Sequence, residues 1–188
     1  SNGAVHFAGT VADTGGAGVA SVQVFNGATL LGTATVVAGS WSLDTTLAAG
    51  TYNNLQVTVT DLAGNASTTA NAQTIIVDAT PPSAVATVTA LSADTGTAGD
   101  FITSVALQTV SGTFTGTLAS GEKIQVSADG GTTWIDATVG PGSSWTASGV
   151  TLSAGSGTLA VRSIDTAGNT TAGTGHSYTL QTSGPTAV

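Results

Sequence analysis

The chain contains no cysteine and no methionine, and only two of its 188 residues are Lys or Arg. Without cysteine it has no disulfide, no thiol nucleophile and no zinc–thiolate site. Two basic side chains are too few to bind a phosphate backbone, which excludes nucleic acid as a main partner. No apolar run approaches the roughly 20 residues of a transmembrane helix. The N-terminus also lacks the basic start and apolar core of a signal peptide.

The residues that are abundant favour strands and tight turns. Thr occurs 36 times, Ala 30 times and Gly 26 times, whereas charged residues make up only 6% of the chain. Helical proteins usually carry about a quarter of charged residues, so this composition is unlike theirs. β-branched side chains suit a pleated surface, and Gly and Asn suit the turns between strands. The sequence therefore predicts an all-β protein.

The sequence repeats itself. Residues 61–65 (DLAGN) recur as 165–169 (DTAGN), and the Ser-Trp pair at 40–41 recurs at 144–145, both at an offset of 104 residues. Two further landmarks keep the same order at nearly the same offset: 22–24 with 124–126, and 9–10 with 112–113. A period near 104 is the length of a seven-strand immunoglobulin-like sandwich. We therefore expect two tandem Ig-like antiparallel β-sandwich domains.

The copies differ in completeness. The paired prolines at 81–82 stiffen the junction, which predicts a first domain over 1–78 and a second over 79–188. Residues 80–107 have no counterpart in the first copy, so the first domain is expected to lack its N-terminal strand. Gly184 and Pro185 resemble the start of a further linker. The expectation is a piece of a longer tandem array.

Alternation of apolar and polar residues locates the strands. Leu55 and Val57 point one way while Gln56 and Thr58 point the other, and the second copy repeats the pattern. In the second copy we predict strands over 84–91, 105–115, 123–128, 133–138, 144–152, 157–164 and 176–182. The core positions predicted to be buried are Trp41, Leu55, Val57, Trp145, Leu159 and Val161.

One motif invites a catalytic interpretation. Residues 127–134 (SADGGTTW) fit the Asp-box pattern of sialidase propellers, but a propeller needs such a hairpin in several blades and this chain has one. We interpret it as a β-hairpin in which Asp129 bonds its own turn. His6 and His176 lie at unrelated places in the two copies, and Lys123 is the only lysine, so an isopeptide bond is not expected. No enzymatic activity is predicted.

The carboxylates are the informative set of charged residues. Asp94 and Asp100 lie six residues apart in a glycine-containing loop, 94–103, with no basic residue to neutralise them. Such a loop can surround a hard cation with side-chain and backbone oxygens, although the spacing is not that of an EF-hand. The alternative is an Asp-rich turn held by local side-chain-to-backbone hydrogen bonds. The hypothesis is that Ca²⁺ binds Asp94 and Asp100.

Strand parity suggests a second, weaker cation cluster. Loops of an antiparallel sandwich alternate between its two poles, so the 165–169 loop of the second copy is expected at its N-terminal pole. That pole is also where the linker residue Asp78 stands. The predicted junction cluster is therefore Asp78, Asp165 and Asn169.

Together these features resemble the bacterial Ig-like domains repeated in giant secreted adhesins and biofilm-associated surface proteins. The matching segments are 78–82 (DATPP), the 94–103 loop, Gly112-Thr113 and 165–169 (DTAGN). The resemblance implies an extracellular extender that holds an adhesive tip away from the cell, with many such repeats stiffened by Ca²⁺ at domain junctions. Thr182 stands where the next linker Asp would be, which weakens the expectation for a following junction.

The leading hypothesis is a Ca²⁺-rigidified spacer of a bacterial cell-surface adhesin that supports cell adhesion or biofilm formation. Its expected partners are neighbouring repeats of the same chain and, through other domains, host or surface ligands; we expect a monomer and no membrane insertion. One alternative is a glycan- or protein-binding module, with Trp134 and Trp145 as candidate contacts. Another is an accessory domain of a secreted enzyme or an S-layer protein, since a fold does not by itself specify a function.

Overall fold

The computed structural model describes residues 3–14 and 16–184, which form two compact units. Unit 1 ends at Ala79 and unit 2 begins at Thr80. Both are all-β, as the sequence predicts, and within the described range the one helical element is the short 3-10 turn Pro141–Ser143. The described chain has no helix with the length and apolar character to cross a bilayer.

Unit 1 folds into antiparallel sheets. One has the order β1-β5-β4, a second has the order β3-β2-β7-β8, and β6 pairs with β9. Its strands are β1 (Ala4–Thr10), β2 (Val19–Asn26), β3 (Thr29–Thr33), β4 (Thr35–Val37), β5 (Ser40–Thr46), β6 (Gly50–Tyr52), β7 (Leu55–Asp61), β8 (Ala66–Asn71) and β9 (Ile75–Val77).

Unit 2 repeats this arrangement with an additional first strand. One sheet has the order β10-β12-β16-β15; the other has the order β11-β19-β17-β13-β14, and β18 also pairs with β17. Its strands are β10 (Val85–Leu91), β11 (Ile102–Thr103), β12 (Leu107–Thr115), β13 (Lys123–Ser127), β14 (Ile135–Asp136), β15 (Thr138–Val139), β16 (Ser144–Thr151), β17 (Gly155–Ile164), β18 (Thr170–Ala172) and β19 (His176–Leu180).

The seven strands predicted for the second copy are present, with three differences. The segment predicted as one strand over 133–138 is split into β14 and β15. The short strands β11 and β18 were not predicted. Strand β11 pairs in parallel with β19, so the chain crosses from one sheet to the other between β10 and β11. Two or three residues carry too little alternation to be recognised from sequence.

The core of unit 2 lies between its two sheets. Leu159, Val161 and Trp145 are at most 3% exposed, which confirms the predictions for these three residues. Trp145 packs over Gly112, where a Cβ atom would lie 2.4 Å from the indole ring, and its Nε1 donates to the carbonyl of Thr113 at 3.0 Å. The apolar residues of β10 complete the core: Ala86, Val88 and Leu91.

The core of unit 1 is less complete. Leu55 is buried as predicted, together with Val22 and Val24 of β2. The prediction that Trp41 and Val57 are buried is wrong, because both are only half-buried. Among the described residues β1 is the edge of its sheet, whereas its counterpart β12 is flanked by β10, whose apolar residues share the core cluster with Trp145.

Candidate functional site

The 94–103 loop of unit 2 is held by its own aspartates. One oxygen of Asp94, Oδ2, accepts hydrogen bonds from the main-chain N–H of Gly99 (2.7 Å) and Phe101 (3.4 Å). Asp100 Oδ1 accepts from the N–H of Ile102 at 2.8 Å. Gly99 has a φ of +91°, which glycine adopts readily. Each carboxylate therefore shapes the turn, whatever else it binds.

The other oxygen of Asp94 is in an unusual state. Within the part of the chain that the structure describes, Asp94 Oδ1 is buried and has no hydrogen-bond partner. A buried acceptor without a partner costs about 1–3 kcal/mol, and more when it is charged. A cation would satisfy this atom, so Asp94 fits the role of a ligand. In residues 3–14 and 16–184, however, no three His, Cys, Asp or Glu side chains are grouped closely enough to hold a metal by themselves.

A buried polar network anchors the loop to the sandwich. Gln108 is 1% exposed; its Nε2 donates to the carbonyl of Val105 (2.7 Å), and its Oε1 accepts from the N–H of Ala93 (2.9 Å). Thr103 is also 1% exposed and donates to the carbonyl of Ala93 at 2.5 Å. Neither Gln108 nor Thr103 was predicted from the sequence. The available signal was Gln108 at an inward position of β12, in phase with Val110.

The loop lies at the end of unit 2 where the last strand finishes. The N–H of Thr179 donates to the carbonyl of Phe101 (3.0 Å), and that of Gln181 donates to the carbonyl of Thr103 (2.9 Å). The ring of Phe101 stacks on His176 with 3.7 Å between centroids. Asp100 and His176 both line an open depression of about 480 Å³ on this side.

The Asp–Asn loops of the two units have the same geometry. Asp165 Oδ1 accepts from the N–H groups of Ala167 and Asn169, both at 2.8 Å, and its Oδ2 accepts from Asn169 Nδ2 at 2.8 Å. Asp61 makes the corresponding three bonds, with Asn65 in place of Asn169. The repeated motif is therefore a turn former in both copies.

These bonds favour the ionised carboxylates. Hydrogen bonds from the side chain and then the N–H of Asn65 lower the pKa of Asp61 below its ordinary value. For Asp165, desolvation raises the pKa, but the bonds from Asn169 and Ala167 outweigh it, so the pKa is lowered. Both carboxylates thus remain charged well into the acidic range.

Of the predicted junction cluster, two members lie together. Asp165 and Asn169 belong to unit 2, where Asn169 Nδ2 also approaches the carbonyl of Thr80 at 3.5 Å. This places their loop at the N-terminal end of unit 2. Asp78 is half-buried and follows β9 in unit 1. The joint action of the three residues stays a prediction.

The Asp-box segment is a closed hairpin turn. Asp129 accepts from the hydroxyl (2.5 Å) and the N–H (3.0 Å to Oδ1) of Thr133, from the hydroxyl of Ser127 (2.7 Å) and from the N–H of Thr132 (3.1 Å). The bonds from Thr133 and Ser127 hold the pKa of Asp129 far below its ordinary value. Trp134 donates its Nε1 proton to the carbonyl of Gly131 at 3.0 Å. The carboxylate is used within the turn, as the sequence analysis expects.

Both basic residues of the chain lie in one surface network beside this hairpin. Lys123 Nζ is 2.6 Å from Asp136 Oδ2, and Gln125 Nε2 donates to Asp136 Oδ1 at 2.7 Å. The bonds from Gln125 and from Lys123 lower the pKa of Asp136. Arg162 donates to Gln125 Oε1 and lies 3.9 Å from the centroid of the Trp134 ring. Strand pairing thus aligns one continuous polar row across the sheet.

The aromatic candidates for ligand binding, Trp134 and Trp145, are engaged by other residues of the same chain. Trp145 is 1% exposed, so it presents no ring to a ligand. Trp134 is half-buried and has Arg162 over its ring. Both histidines also have partners within the protein: His6 Nδ1 is 2.7 Å from Asp44 Oδ1, and His176 is stacked on Phe101.

Comparisons with known proteins agree with this architecture. The family model described as a bacterial Ig-like domain matches residues 81–182, nearly all of unit 2. No match was found among curated proteins. Among solved structures, the chain is similar to the fibronectin(III)-like modules of Clostridium thermocellum CbhA, with 18% identity and a TM-score of 0.50 over 97% of this chain and 88% of that one. This likeness supports the fold.

Two other solved structures resemble the chain more weakly. One is the BSP domain of a biofilm associated protein, with 18% identity, a TM-score of 0.35, and coverage of 95% of this chain and 28% of that one. The other is SGBP-B of Bacteroides ovatus in complex with a mixed-linkage heptasaccharide, with 15% identity, a TM-score of 0.31, and coverage of 93% and 40%. The matched family model, by contrast, spans more than half of the sequence. The chain therefore belongs to the family of bacterial Ig-like domains.

Proposed function

We propose that the chain is a structural spacer: tandem repeats of a large secreted bacterial cell-surface adhesin, which extend an adhesive region and so support adhesion or biofilm formation. The observation that carries the proposal is the internal repeat itself. Two copies of one sandwich follow each other through a short Pro-Pro junction, and both keep the same Asp–Asn turn and the same Gly–Trp strand pair. Tandem repetition of one domain makes a protein longer with each added copy.

The surface chemistry supports a passive role. A net charge of −8 with only two basic residues keeps copies of the chain apart, which suits a monomer and an extracellular location. The two basic residues are engaged in the Lys123–Asp136 pair and the Arg162–Gln125 bond. Since Trp145 is buried and Trp134 is stacked, no observation favours the glycan-binding alternative. We assign the chain no catalytic step.

The proposed stiffening ion is Ca²⁺. Asp94 is the best-supported ligand because its Oδ1 is buried without a partner, and Asp100 would contribute from the same loop. Oxygen donors from carboxylates and main-chain carbonyls are the ligands that Ca²⁺ prefers. The second cluster, Asp78, Asp165 and Asn169, is proposed as the weaker one, because Asp165 already bonds Asn169 through both oxygens.

Melting experiments test the ion. An ion that binds the folded state alone stabilises it by about 2.7 kcal/mol at a hundredfold excess over Kd, and extracellular Ca²⁺ modules have Kd values of about 10⁻⁴–10⁻³ M. We expect the melting temperature of unit 2 to rise between EDTA and about 10 mM Ca²⁺. The double variant Asp94→Ala, Asp100→Ala should lose that rise. The control Asp44→Ala, an exposed carboxylate of unit 1, should keep it.

If the melting temperature of the parent protein does not change with Ca²⁺, the proposal that Ca²⁺ binds is refuted. A full shift retained by the double variant would move the site to the junction cluster.

Cell-surface display tests the spacer. Residues 3–184 are inserted in one, two or three copies between a membrane anchor and a reporter epitope on a bacterial surface. A spacer should raise the capture of the epitope by antibody-coated beads with each added copy, while beads without antibody stay unbound. If beads that carry glycans or host proteins but no antibody bind the repeats themselves, the chain is a binding module instead.

A further inference from the structure

Unit 1 ends both of its larger sheets at one continuous stretch of chain, residues 29–37. Strand β3 is the terminal strand of the sheet β3-β2-β7-β8, and β4 is the terminal strand of the sheet β1-β5-β4. The chain passes from one sheet to the other at Ala34, whose N–H donates to the carbonyl of Val22 at 2.8 Å. We name residues 29–37 the switch edge. Unit 2, which has an additional first strand, ends its sheets at the equivalent strands β14 and β15.

Main-chain groups of the switch edge point outward. The turn between β4 and β5 has positive φ at Ala38 (49°) and Gly39 (78°), as in a type I′ hairpin, so Val37 and Ser40 form the bonded pair beside it. Because bonding directions alternate along an antiparallel strand, the N–H and C=O groups of Val36 point away from β5. The edge therefore presents hydrogen-bonding groups to another strand.

The side chains of the switch edge are apolar and uncharged. Leu30 is 48% exposed, Val36 36% and Val37 67%. The net charge of the chain is −8, yet no Asp, Glu, Lys or Arg occurs in residues 14–43. The neighbouring strand β5 has one carboxylate, Asp44, which lies past the pairing with β4 and 2.7 Å from His6 of β1. Nothing in the sequence of this edge repels a second uncharged strand.

The equivalent edge of unit 2 is protected. Gln23 pairs with Thr33 in unit 1, and the equivalent Gln125 pairs with Asp136 in unit 2, so the position of Thr33 holds a carboxylate there. Soon after β15, Pro141 opens a short 3-10 turn in place of the hairpin. Charged side chains and proline are the usual means by which sheet edges avoid pairing with other chains. Unit 1 has neither between residues 29 and 37.

We propose that the switch edge is the contact through which two copies of this chain associate, by antiparallel strand pairing about a two-fold axis. Such pairing places β3 of one copy against β4 of the other. Leu30 of one copy then approaches Val37 of the other, so the exposed apolar side chains cover each other. A two-fold contact uses the same surface on both copies and closes at a dimer.

The charge distribution favours a second copy as the occupant. Two chains with a net charge of −8 repel each other, so they approach closely only where neither carries charge, and the switch edge meets that condition. A basic partner would be attracted to the carboxylates elsewhere on the chain instead. Because the edge is short and the rest of the surface repels, the contact is weak. Dilute chains are therefore monomeric, and dimers form at high local concentration.

Sedimentation velocity on the intact chain tests the association. Between about 10 µM and about 1 mM protein, we expect a reversible monomer–dimer equilibrium with a Kd of about 0.1–1 mM. Raising NaCl from about 20 mM to about 500 mM should strengthen it at least about threefold, because salt screens the repulsion between acidic chains. Sedimentation as a monomer at every concentration and salt level overturns the proposal, as does growth into species larger than a dimer.

A matched pair of charge variants locates the contact. Thr33→Asp gives unit 1 the residue that unit 2 has at the equivalent position, and it should weaken dimerisation at least about tenfold. Thr69→Asp adds the same charge to β8, at the other end of the same sheet, and should change the Kd by less than about threefold. Both threonines are exposed, so both variants should keep the fold. Equal effects of the two variants contradict pairing at the switch edge.

A main-chain variant separates strand pairing from a general apolar contact. Val36→Pro removes an N–H that points to the free edge, which an edge strand tolerates, and it should weaken dimerisation at least about tenfold. Val36→Thr keeps the N–H and the branched shape and should dimerise within about threefold of the parent. Circular dichroism during urea unfolding verifies that each variant is folded. Dimerisation that survives both Val36→Pro and Thr33→Asp overturns the proposal.

Discussion

Replacing one valine in each unit tests whether the two cores differ as described. Val161 is 3% exposed in the middle of the unit 2 core, and its counterpart Val57 in unit 1 is half-buried. Val161→Ala deletes two methyl groups from a closed core. At about 0.8 kcal/mol per buried carbon, plus the cost of the cavity, the loss is about 2–3 kcal/mol. Val57→Ala removes the same atoms from a site that solvent reaches, so no closed cavity forms and the loss is about 0.5–1 kcal/mol.

Urea unfolding followed by circular dichroism measures both losses. With a slope of about 1–3 kcal/mol per M, Val161→Ala should lower the unfolding midpoint of unit 2 by about 1–2 M. The midpoint of unit 1 should change in Val57→Ala by less than half as much. Equal losses in the two variants would show that Val57 is as enclosed as Val161. That result would refute the argument that unit 1 lacks a covering strand.

Other predictions concern glycine, the hairpin and pH. Gly173→Ala should destabilise unit 2 by about 3 kcal/mol or more in urea unfolding, since its Cβ would meet the Ala86 carbonyl, whereas Gly184→Ala, with no atom nearby, should have no effect. Asp129→Ala should lower the melting temperature of unit 2, because Thr133 loses both of its bonds to the carboxylate. Four aspartates have lowered pKa values in the folded state. Their contribution to the stability of the fold is therefore present above about pH 4 and is lost as the pH falls further. Melting temperatures should therefore fall between about pH 4 and pH 2, and less steeply in Asp129→Asn; a rise would contradict the pKa shifts of Asp61, Asp129, Asp136 and Asp165.

The sequence predicts the fold well because two of its signals are strong. Alternation identifies β7 and β17, where inward Leu55 and Leu159 are both buried. The repeat then extends each assignment from one copy to the other. The same reasoning failed at Trp41, since burial depends on whether another strand covers the residue. That condition is a property of the fold and not of the local pattern around Trp41.

The loops were harder to predict than the strands. The Asp box at 127–134 was recognised as a turn because the bonds of its Asp129 reach residues no more than four positions away. The anchoring of the 94–103 loop by Gln108 was not recognised, because that residue acts across the sheet on Ala93, 15 positions earlier. Contacts between distant positions leave no periodic trace in one sequence. Strand β11 is hidden for the same reason, as it forms by pairing with β19.

Hydrogen bonding separates the aspartates into two kinds. Asp61 and Asp165 bond through both oxygens to their own Asn, and the turn is the same in both units. Such a turn needs no ion, and an ion at Asp165 would compete with the amide of Asn169. Asp94 differs because one oxygen holds its loop while the other is buried and unsatisfied. If one of these carboxylates binds Ca²⁺, physical chemistry therefore favours Asp94, where the ion would satisfy a group that the fold leaves unpaired.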